Sequence, residues 1–180
     1  MVQKSDKRIL VHTCCAPCAA PSVEKILLDG RAVTLFYCNS NIHPEAEYLK
    51  RLESVRKLAG IMNLIVEEDE YDHAKWLAWI SGLESEPEKG RRCAKCFEYS
   101  LARTAEVAAR HGFPNFTTTL TLSPHKVSKV IFGIGAKFPR YLPYDFKKED
   151  GFIRSVKLSD EYGLYRQDYC GCEFSRALSR

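Results

Sequence analysis

The sequence predicts an α/β fold, a Rossmann-like three-layer sandwich in which helices cover both faces of a parallel sheet. Short apolar segments alternate with segments whose apolar residues recur at helical spacing. The first apolar segment, 9–11, leads directly into a turn and a helix, as strands of open parallel sheets do. No repeat, low-complexity tract or change of composition divides the 180 residues, so we expect a single domain, 1–180.

The first half of the chain alternates strands and helices in order. The apolar run at 9–11 predicts a buried strand, and Val23, Ile26 and Leu27 give 19–29 the spacing of a helix. The same patterns predict a strand at 32–38, a polar turn at 39–44, a helix at 45–59 ended by Gly60, a strand at 62–66 and a helix at 72–80.

The second half begins with a polar loop at 81–92 that contains Gly and Pro. Further elements are an Ala-rich helix at 93–110 closed by Gly112, a Thr-rich and apolar strand at 115–122, a helix at 124–136 and a fifth strand at 140–146. The alternation weakens beyond Lys147. We therefore expect an irregular, helical C-terminal part, with no regular structure at 163–171 before a short final helix.

Composition is typical of a soluble globular protein, with 45% hydrophobic and 28% charged residues. No apolar run approaches the ~20 residues of a membrane span, and no signal peptide opens the chain, so we expect a cytoplasmic protein that does not interact with membranes. The formal charge of +4 lies in the last third, from Lys126 onward. Such an excess suits a phosphate-rich partner, although an ordinary solvated surface is equally consistent with it.

Eight cysteines are many for a reducing compartment, where metal or redox chemistry explains them better than structural disulfides. Seven of them form three clusters: Cys14, Cys15 and Cys18; Cys93 and Cys96; Cys170 and Cys172. The eighth, Cys38, ends an apolar strand and is interpreted as a small core residue. His12 lies inside the first strand and is interpreted as structural.

The first two clusters have the spacing of metal ligands. Cys15 and Cys18 form a C-x-x-C at a helix start, which alone would suit a thioredoxin-like oxidoreductase. Cys93 and Cys96, at i and i+3 of a helix, can reach one metal together. Four thiolates suit zinc or a [4Fe–4S] cluster. The adjacent pair Cys14 and Cys15 favours the cluster, while structural zinc and metal-free thiol exchange stay as alternatives.

The third cluster, Cys170-Gly171-Cys172, can chelate a further metal ion or cycle between dithiol and strained disulfide, and Cys18 can join it. Two buried structural cysteines are the alternative interpretation. Polar residues beside the thiols are candidates for acid chemistry or ligation, chiefly Asp145, Asp168 and Tyr169, with Arg166 and Gln167 next to them. His43 either donates a proton, holds a phosphate or belongs to a simple helix-capping turn.

Six stretches together resemble the cobalamin-independent epoxyqueuosine reductases of the QueH type. They are LVHTCCAPC (10–18), NSNIHPEAEY (39–48), GRRCAKC (90–96), FTTTLTLSPHK (116–126), YLPYDFKKEDG (141–151) and LYRQDYCGCEFS (164–175). The resemblance covers nearly the whole chain and departs at no thiol. It implies a single catalytic domain with an α/β fold similar to the nucleotide-handling (HUP or PP-loop) domains of tRNA thiolases. Their Ser-Gly-Gly-x-Asp-Ser loop is replaced by Thr13-Cys14-Cys15, so no ATP use is expected.

The resemblance also implies an activity, the two-electron deoxygenation of epoxyqueuosine to queuosine in the anticodon loop of tRNA. It implies a [4Fe–4S] cluster on Cys14, Cys15, Cys93 and Cys96, and an external electron donor of the ferredoxin or flavodoxin kind. Next to the cluster, Cys170 and Cys172, with or without Cys18, hold a second iron or close to a disulfide. Proton donors would be Asp145, Asp168 or Tyr169, and phosphate contacts Lys126, Lys129, Lys147, Lys148 and Arg154.

Overall fold

A computed structural model describes residues 7–176 and contains a four-stranded parallel sheet. Its strands are β1 (Arg8–His12), β2 (Ala32–Tyr37), β3 (Ile65–Glu68) and β4 (Asn115–Thr118), in the spatial order β3-β2-β1-β4. β1 is central, and its Leu10 lies opposite Thr34 on one side and Phe116 on the other. The centre of β1, Ile9 to Val11, is fully apolar because both faces of the sheet are covered.

Seven helices complete the described part of the chain: α1 (Ala16–Leu28), α2 (Glu45–Met62), α3 (His73–Trp79), α4 (Arg91–Arg110), α5 (Ser128–Gly135), α6 (Gly151–Tyr162) and α7 (Glu173–Arg176). These helices lie on both faces of the sheet, and alternate residues of β1 point to opposite faces. Ile9 and Val11 pack with α1, α2 and α6, whereas Leu10 packs with α4 and α5. The expected three-layer α/β sandwich is therefore confirmed.

Two expected elements differ in kind. Residues 140–146 form no strand, since the only pairing described there is a single bridge between Phe116 and Tyr141. Pro143 explains this, because proline cannot donate to a sheet ladder. The expected strand at 115–122 ends at Thr118, whose hydroxyl accepts from the Leu120 amide and starts a 3-10 helix, Thr119–Leu122.

Several boundaries also move. α1 begins at Ala16 rather than at residue 19, which places Cys18 inside the helix. α2 continues past Gly60 to Met62 and ends at Asn63, whose left-handed backbone (φ 53°) closes it. α5 is shorter than expected, and α6 supplies a 12-residue helix in the C-terminal part. None of the helices described within residues 7–176 combines the length and apolar character required to cross a membrane.

Candidate active site

The strand order determines where a site can form. β1 lies between β2 and β4, and the chain leaves β1 into α1 on one face but leaves β4 toward α5 on the other. Loops that diverge in this way open a crevice at the carboxyl ends of the two strands. Cys14 follows β1 in this crevice, and the segment 119–127 follows β4.

The turn after β1 gathers the first three thiols. Cys15 is the N-cap of α1 with an extended backbone, and Pro17 occupies the first helical turn. The sulfurs of Cys14 and Cys15 lie 3.9 Å apart, and the three sulfurs of Cys14, Cys15 and Cys18 all lie within 4.8 Å of one another. This group can hold a metal ion, because three soft donors converge on one point.

The three thiols interact with one another, and the interaction favours ionisation of Cys14 over that of Cys15 and Cys18. Hydrogen bonds from Cys15 and Cys18 lower the pKa of the Cys14 thiol well below its ordinary value, and the positive charge of Lys126 adds to this. The same interaction with Cys14 raises the pKa of Cys15 to about 12 and that of Cys18 well above its usual range. Cys14 is therefore the thiol of the group that ionises most readily in the metal-free chain.

Lys126 is half-buried and lies beside the sulfurs. Although burial opposes its charge, Cys170, Cys14 and Cys18 raise the pKa of its ammonium group. Its backbone carbonyl accepts a hydrogen bond from the Lys147 ammonium group, which fixes the segment after β4. The sequence alone suggested only that Lys126 contacts phosphate. The fold is what brings it beside the sulfurs.

The second thiol pair is presented by the N-terminal turn of α4. Gly90 caps this helix, and the Lys89 amide donates to the Cys93 sulfur at 3.3 Å. Burial raises the pKa of both Cys93 and Cys96, and the nearby Cys170 and Cys172 thiols add to the shift. Their electrostatic neighbours are thus the thiols of the third cluster.

The third pair divides between two environments. Cys170 lines the site, whereas Cys172 is buried against Trp76 and Ile80, next to Cys96. The Cys172 sulfur lies 3.6 Å from the Ser175 hydroxyl. The Gly between the two cysteines has a φ of 141°, which permits this change of direction.

A cavity of about 460 Å³ connects the clusters. Cys14, Cys18, Cys93 and Cys170 line it, so that all three clusters contribute a residue. A smaller cavity of about 30 Å³ is lined by Cys14, Cys96 and Cys170. The larger volume falls in the range of small-molecule sites.

Other polar groups line the larger cavity. Asp168 and Tyr169, both expected from the sequence, are among them, as are several residues that the sequence did not single out for chemistry, namely Arg51, Glu88, Lys89 and His125. Arg166 and Gln167 also line it, and the Gln167 Oε1 atom is buried without a hydrogen-bond partner among residues 7–176. The fold brings these residues together from separate segments of the chain.

The remaining candidates lie elsewhere. Asp145 lines neither cavity and accepts a hydrogen bond from Ser128 at 3.0 Å. The exposed ring of His43 stacks on His73 at 4.9 Å, and its amide donates to the Gly171 carbonyl. Cys38 is buried and donates to Asp69, in agreement with a core role.

The basic residues considered for phosphate contact are dispersed around the site. Arg154 forms a bidentate ion pair with Glu24 at 2.9 and 2.7 Å, which occupies its guanidinium group. Lys129 and Lys148 are exposed. Lys89 and Arg166 line the cavity itself and add positive charge there, and His125 lines it too.

Comparison with known proteins agrees with this geometry. The family model described as "Epoxyqueuosine reductase QueH" matches residues 9–177. Relatives named epoxyqueuosine reductase QueH include those of Streptococcus pyogenes serotype M1 (40% identity over 94% of this chain and 71% of the relative) and Haemophilus influenzae (37%, 93% and 71%). The Thermotoga maritima relative is 35% identical over 93% of this chain and 89% of its own. The chain therefore belongs to the epoxyqueuosine reductase QueH family.

Proposed function

We propose that this chain reduces epoxyqueuosine to queuosine in tRNA, as one catalytic domain. The observation that carries the proposal is the 460 Å³ cavity, which Cys14, Cys18, Cys93 and Cys170 line from three separate segments. The family and its relatives are named epoxyqueuosine reductase, which supports the proposal. Removal of the epoxide oxygen leaves a cyclopentene and water, and it consumes two electrons and two protons.

The donor set fits an iron–sulfur centre. All eight cysteines are free thiols, and seven surround the two cavities or lie directly behind them. We assign Cys14, Cys15, Cys93 and Cys96 as ligands of a [4Fe–4S] cluster, because Cys14 shares one cavity with Cys93 and the other with Cys96. When bound, such a cluster supplies single electrons.

Cys18, Cys170 and Cys172 are left for a second role beside that centre. Cys18 and Cys170 line the same cavity, and Cys172 lies behind it. They either ligate a second, mononuclear iron or form a redox-active dithiol whose oxidation to a disulfide delivers an electron pair. Both roles need an external donor of the ferredoxin or flavodoxin kind to restore the reduced state.

The other lining residues prepare the cavity for the reaction. The Lys126 ammonium group offsets negative charge on the surrounding sulfurs. Phe97, Leu122 and Val130 give the cavity apolar walls, which limit access of water. Asp168 is exposed at the cavity and is proposed to deliver the protons, with Tyr169 next to it.

We propose that the modified base is turned out of the anticodon loop to enter this cavity. Lys89, His125 and Arg166 line the cavity and would meet the flanking phosphates. Lys129, Lys147 and Lys148 extend this positive surface. A tRNA substrate would place the chain in the cytoplasm.

The test is incubation of anaerobically reconstituted protein with epoxyqueuosine-containing tRNA and a reductant, followed by mass analysis of the nucleosides. Conversion to queuosine is expected, and it should disappear in Cys93→Ser. It should persist in Cys38→Ser, because the Cys38 thiol bonds to Asp69 outside the cavity. Colourless protein that holds one zinc and leaves the nucleoside unchanged would favour a zinc-stabilised RNA-binding domain. Activity on small disulfides without metal would favour a thiol oxidoreductase.

A further inference from the structure

The segment 169–172 directs two nearby thiols to different places. Cys170 lines both cavities, whereas Cys172 is packed with Trp76 and Ile80 and is 8% exposed. Irregular backbone does not adopt one such arrangement by itself, because it lacks the repeating hydrogen bonds of helices and strands. Contacts from outside the segment must therefore select it.

Arg51 of α2 supplies the principal contact. This residue is 2% exposed, although an arginine is rarely buried without partners. Its Nη1 donates to the Cys170 carbonyl at 2.9 Å, and its Nη2 donates to the Tyr169 carbonyl at 3.2 Å. The guanidinium carbon also lies 5.1 Å from the centre of the Tyr169 ring. The planar guanidinium group thus donates to the carbonyls of two consecutive residues.

Glu47 holds the guanidinium group in place from the other side. Its Oε1 accepts from the Arg51 Nε at 2.7 Å, and both of its carboxylate oxygens lie 3.1 Å from the Tyr165 hydroxyl. Arg51 and Glu47 are one helical turn apart, so α2 presents them together. The Glu47 carboxylate therefore connects Arg51 to Tyr165, which lies four residues before Tyr169.

Gly171 closes the arrangement. Its carbonyl accepts from the His43 amide at 2.9 Å. A Cβ atom at this position would lie 3.0 Å from Ile42 Cγ1 and 3.3 Å from Arg51 Nη1. The backbone thus approaches Arg51 so closely that a larger residue would displace one of them.

We propose that Arg51 is a positioning residue, which fixes the backbone at Tyr169 and Cys170 so that the Cys170 thiol faces the cavity and Cys172 stays buried. The inference rests on the proposed function for the importance of Cys170, but the geometry it concerns exists without metal or substrate. Lysine cannot replace this arginine, because a single ammonium group cannot span two carbonyls and a carboxylate in one plane.

The experiment measures alkylation of each thiol in the reduced, metal-free chain, by brief exposure to iodoacetamide and peptide mass analysis. In Arg51→Lys, alkylation of Cys172 should rise about tenfold or more relative to the wild type, because each lost charge-assisted hydrogen bond favours local opening by about that factor. Buried Cys38 serves as the internal reference, and its labelling should not change.

Arg56→Lys is the matched control. Arg56 lies on the same helix and forms a bidentate pair, but its partner is Glu68 and it does not touch the thiol segment. Alkylation of Cys172 in Arg56→Lys should equal that in the wild type. Unchanged Cys172 labelling in Arg51→Lys would overturn the proposal, and so would an equal rise at Cys38 and Cys172, since that pattern reports general loss of stability. Should Arg51→Lys fail to fold, Glu47→Gln carries the same expectation and the same contradicting outcomes.

A second readout uses the reconstituted enzyme. In Arg51→Lys, kcat for epoxyqueuosine reduction should fall about tenfold while KM for tRNA stays within about twofold, because the arginine orients a reacting group rather than the RNA. A rise in KM alone would contradict a positioning role. A wild-type enzyme with no reductase activity would refute the proposed function, while the alkylation result would still decide the role of Arg51.

Discussion

Lys126 illustrates how one residue sets the charge of the site. Its ammonium group lies among Cys14, Cys18 and Cys170, and it lowers the pKa of the Cys14 thiol. In the opposite direction, the sulfurs raise the pKa of Lys126. The positive charge and one thiolate therefore stabilise each other in the metal-free chain, before any ligand binds.

Substitution of Lys126 tests this mutual stabilisation. In Lys126→Met, the pKa of Cys14 should rise, so that its alkylation by iodoacetamide in the metal-free chain begins at higher pH than in the wild type. The measurement is the pH midpoint of Cys14 labelling by mass analysis. Lys129→Met is the matched control, because Lys129 is exposed on the same segment. A midpoint that stays fixed in Lys126→Met would rule out the electrostatic role.

The two proposed roles of Cys170 and Cys172 predict different metal contents. In a Cys170→Ser, Cys172→Ser variant reconstituted anaerobically, loss of one iron per chain with the cluster intact is expected for the mononuclear iron. Full retention of iron with loss of reductase activity is expected for the dithiol. Cys38→Ser should match the wild type in both measurements, because Cys38 is a buried core thiol.

At the scale of elements, α4 is the support of the second thiol pair. Its Arg103 forms a bidentate ion pair with Asp69, directly after β3, with contacts of 2.7 to 3.0 Å. The Asp69 side chain is 10% exposed. Burial opposes ionisation there, but Arg103 and Cys38 lower the pKa of Asp69 below its ordinary value. The pair thus anchors the helix that carries Cys93 and Cys96 to the edge of the sheet.

Removal of this anchor should destabilise the fold at neutral pH. In Arg103→Met, we expect the free energy of unfolding to fall by about 2 kcal/mol near pH 7, as measured in urea. Because the folded-state pKa of Asp69 is depressed, its contribution is present above the ordinary value of 3.8 and is lost as the pH falls below it. The difference between wild type and variant should therefore shrink near pH 3.

Arg110→Met is the control for this experiment. Arg110 pairs with Glu106 at the exposed end of the same helix, and such surface pairs contribute about 0.5 kcal/mol or less. A loss in Arg103→Met no larger than that of the control would show that the Asp69 pair does not anchor α4.

The elements that the sequence predicted well are those in which local pattern and tertiary packing agree. The apolar run of β1 is buried on both faces, and the helix expected at 72–80 is present as α3, whose N-cap Asp72 accepts from the Lys75 amide. α2 shows the opposite case. Leu49 is 53% exposed there while Arg51 is buried, because carbonyls distant in sequence bind the guanidinium group.

The site was predictable to the extent that it depends on strand ends. The first thiol cluster could be placed at the carboxyl end of a strand, because Cys14 and Cys15 directly follow β1. The contributions of Arg51 and Lys89, and the central place of Lys126, could not be derived. They depend on how the loops after β4 and α6 fold back, and no sequence period encodes such contacts.

At the scale of the whole molecule, positive residues gather where the cavity is lined. Lys89 and Arg166 lie there, whereas Arg110 lies at the other end of α4. A helix of 20 residues is about 30 Å long, so these two ends are well separated. An RNA that delivers a base to the cavity would contact the first end and not the second.

The salt dependence of tRNA binding tests this arrangement. The affinity should fall steeply between about 50 and 200 mM salt, as is usual when several phosphates are neutralised. In Arg166→Gln, the slope of log affinity against log salt should become shallower by about one, while Arg110→Gln should leave it unchanged. Fluorescence anisotropy with labelled tRNA gives both slopes. A flat salt response in the wild type would exclude phosphate contacts as the source of affinity.

His12 lies at the end of β1, next to the cysteines, and its imidazole ring is uncharged. Its Nε2 lies 3.1 Å from the Cys38 carbonyl, which can only accept, so this nitrogen carries the proton and Nδ1 accepts from the Thr118 hydroxyl at 2.8 Å. Burial lowers the pKa of the ring, which keeps it neutral. The uncharged His12 ring thereby connects the end of β1 to the ends of β2 and β4 by hydrogen bonds. Cys14 acts on the His12 pKa in the opposite direction, but burial has the larger effect, so the ring beneath the ionisable sulfurs carries no charge.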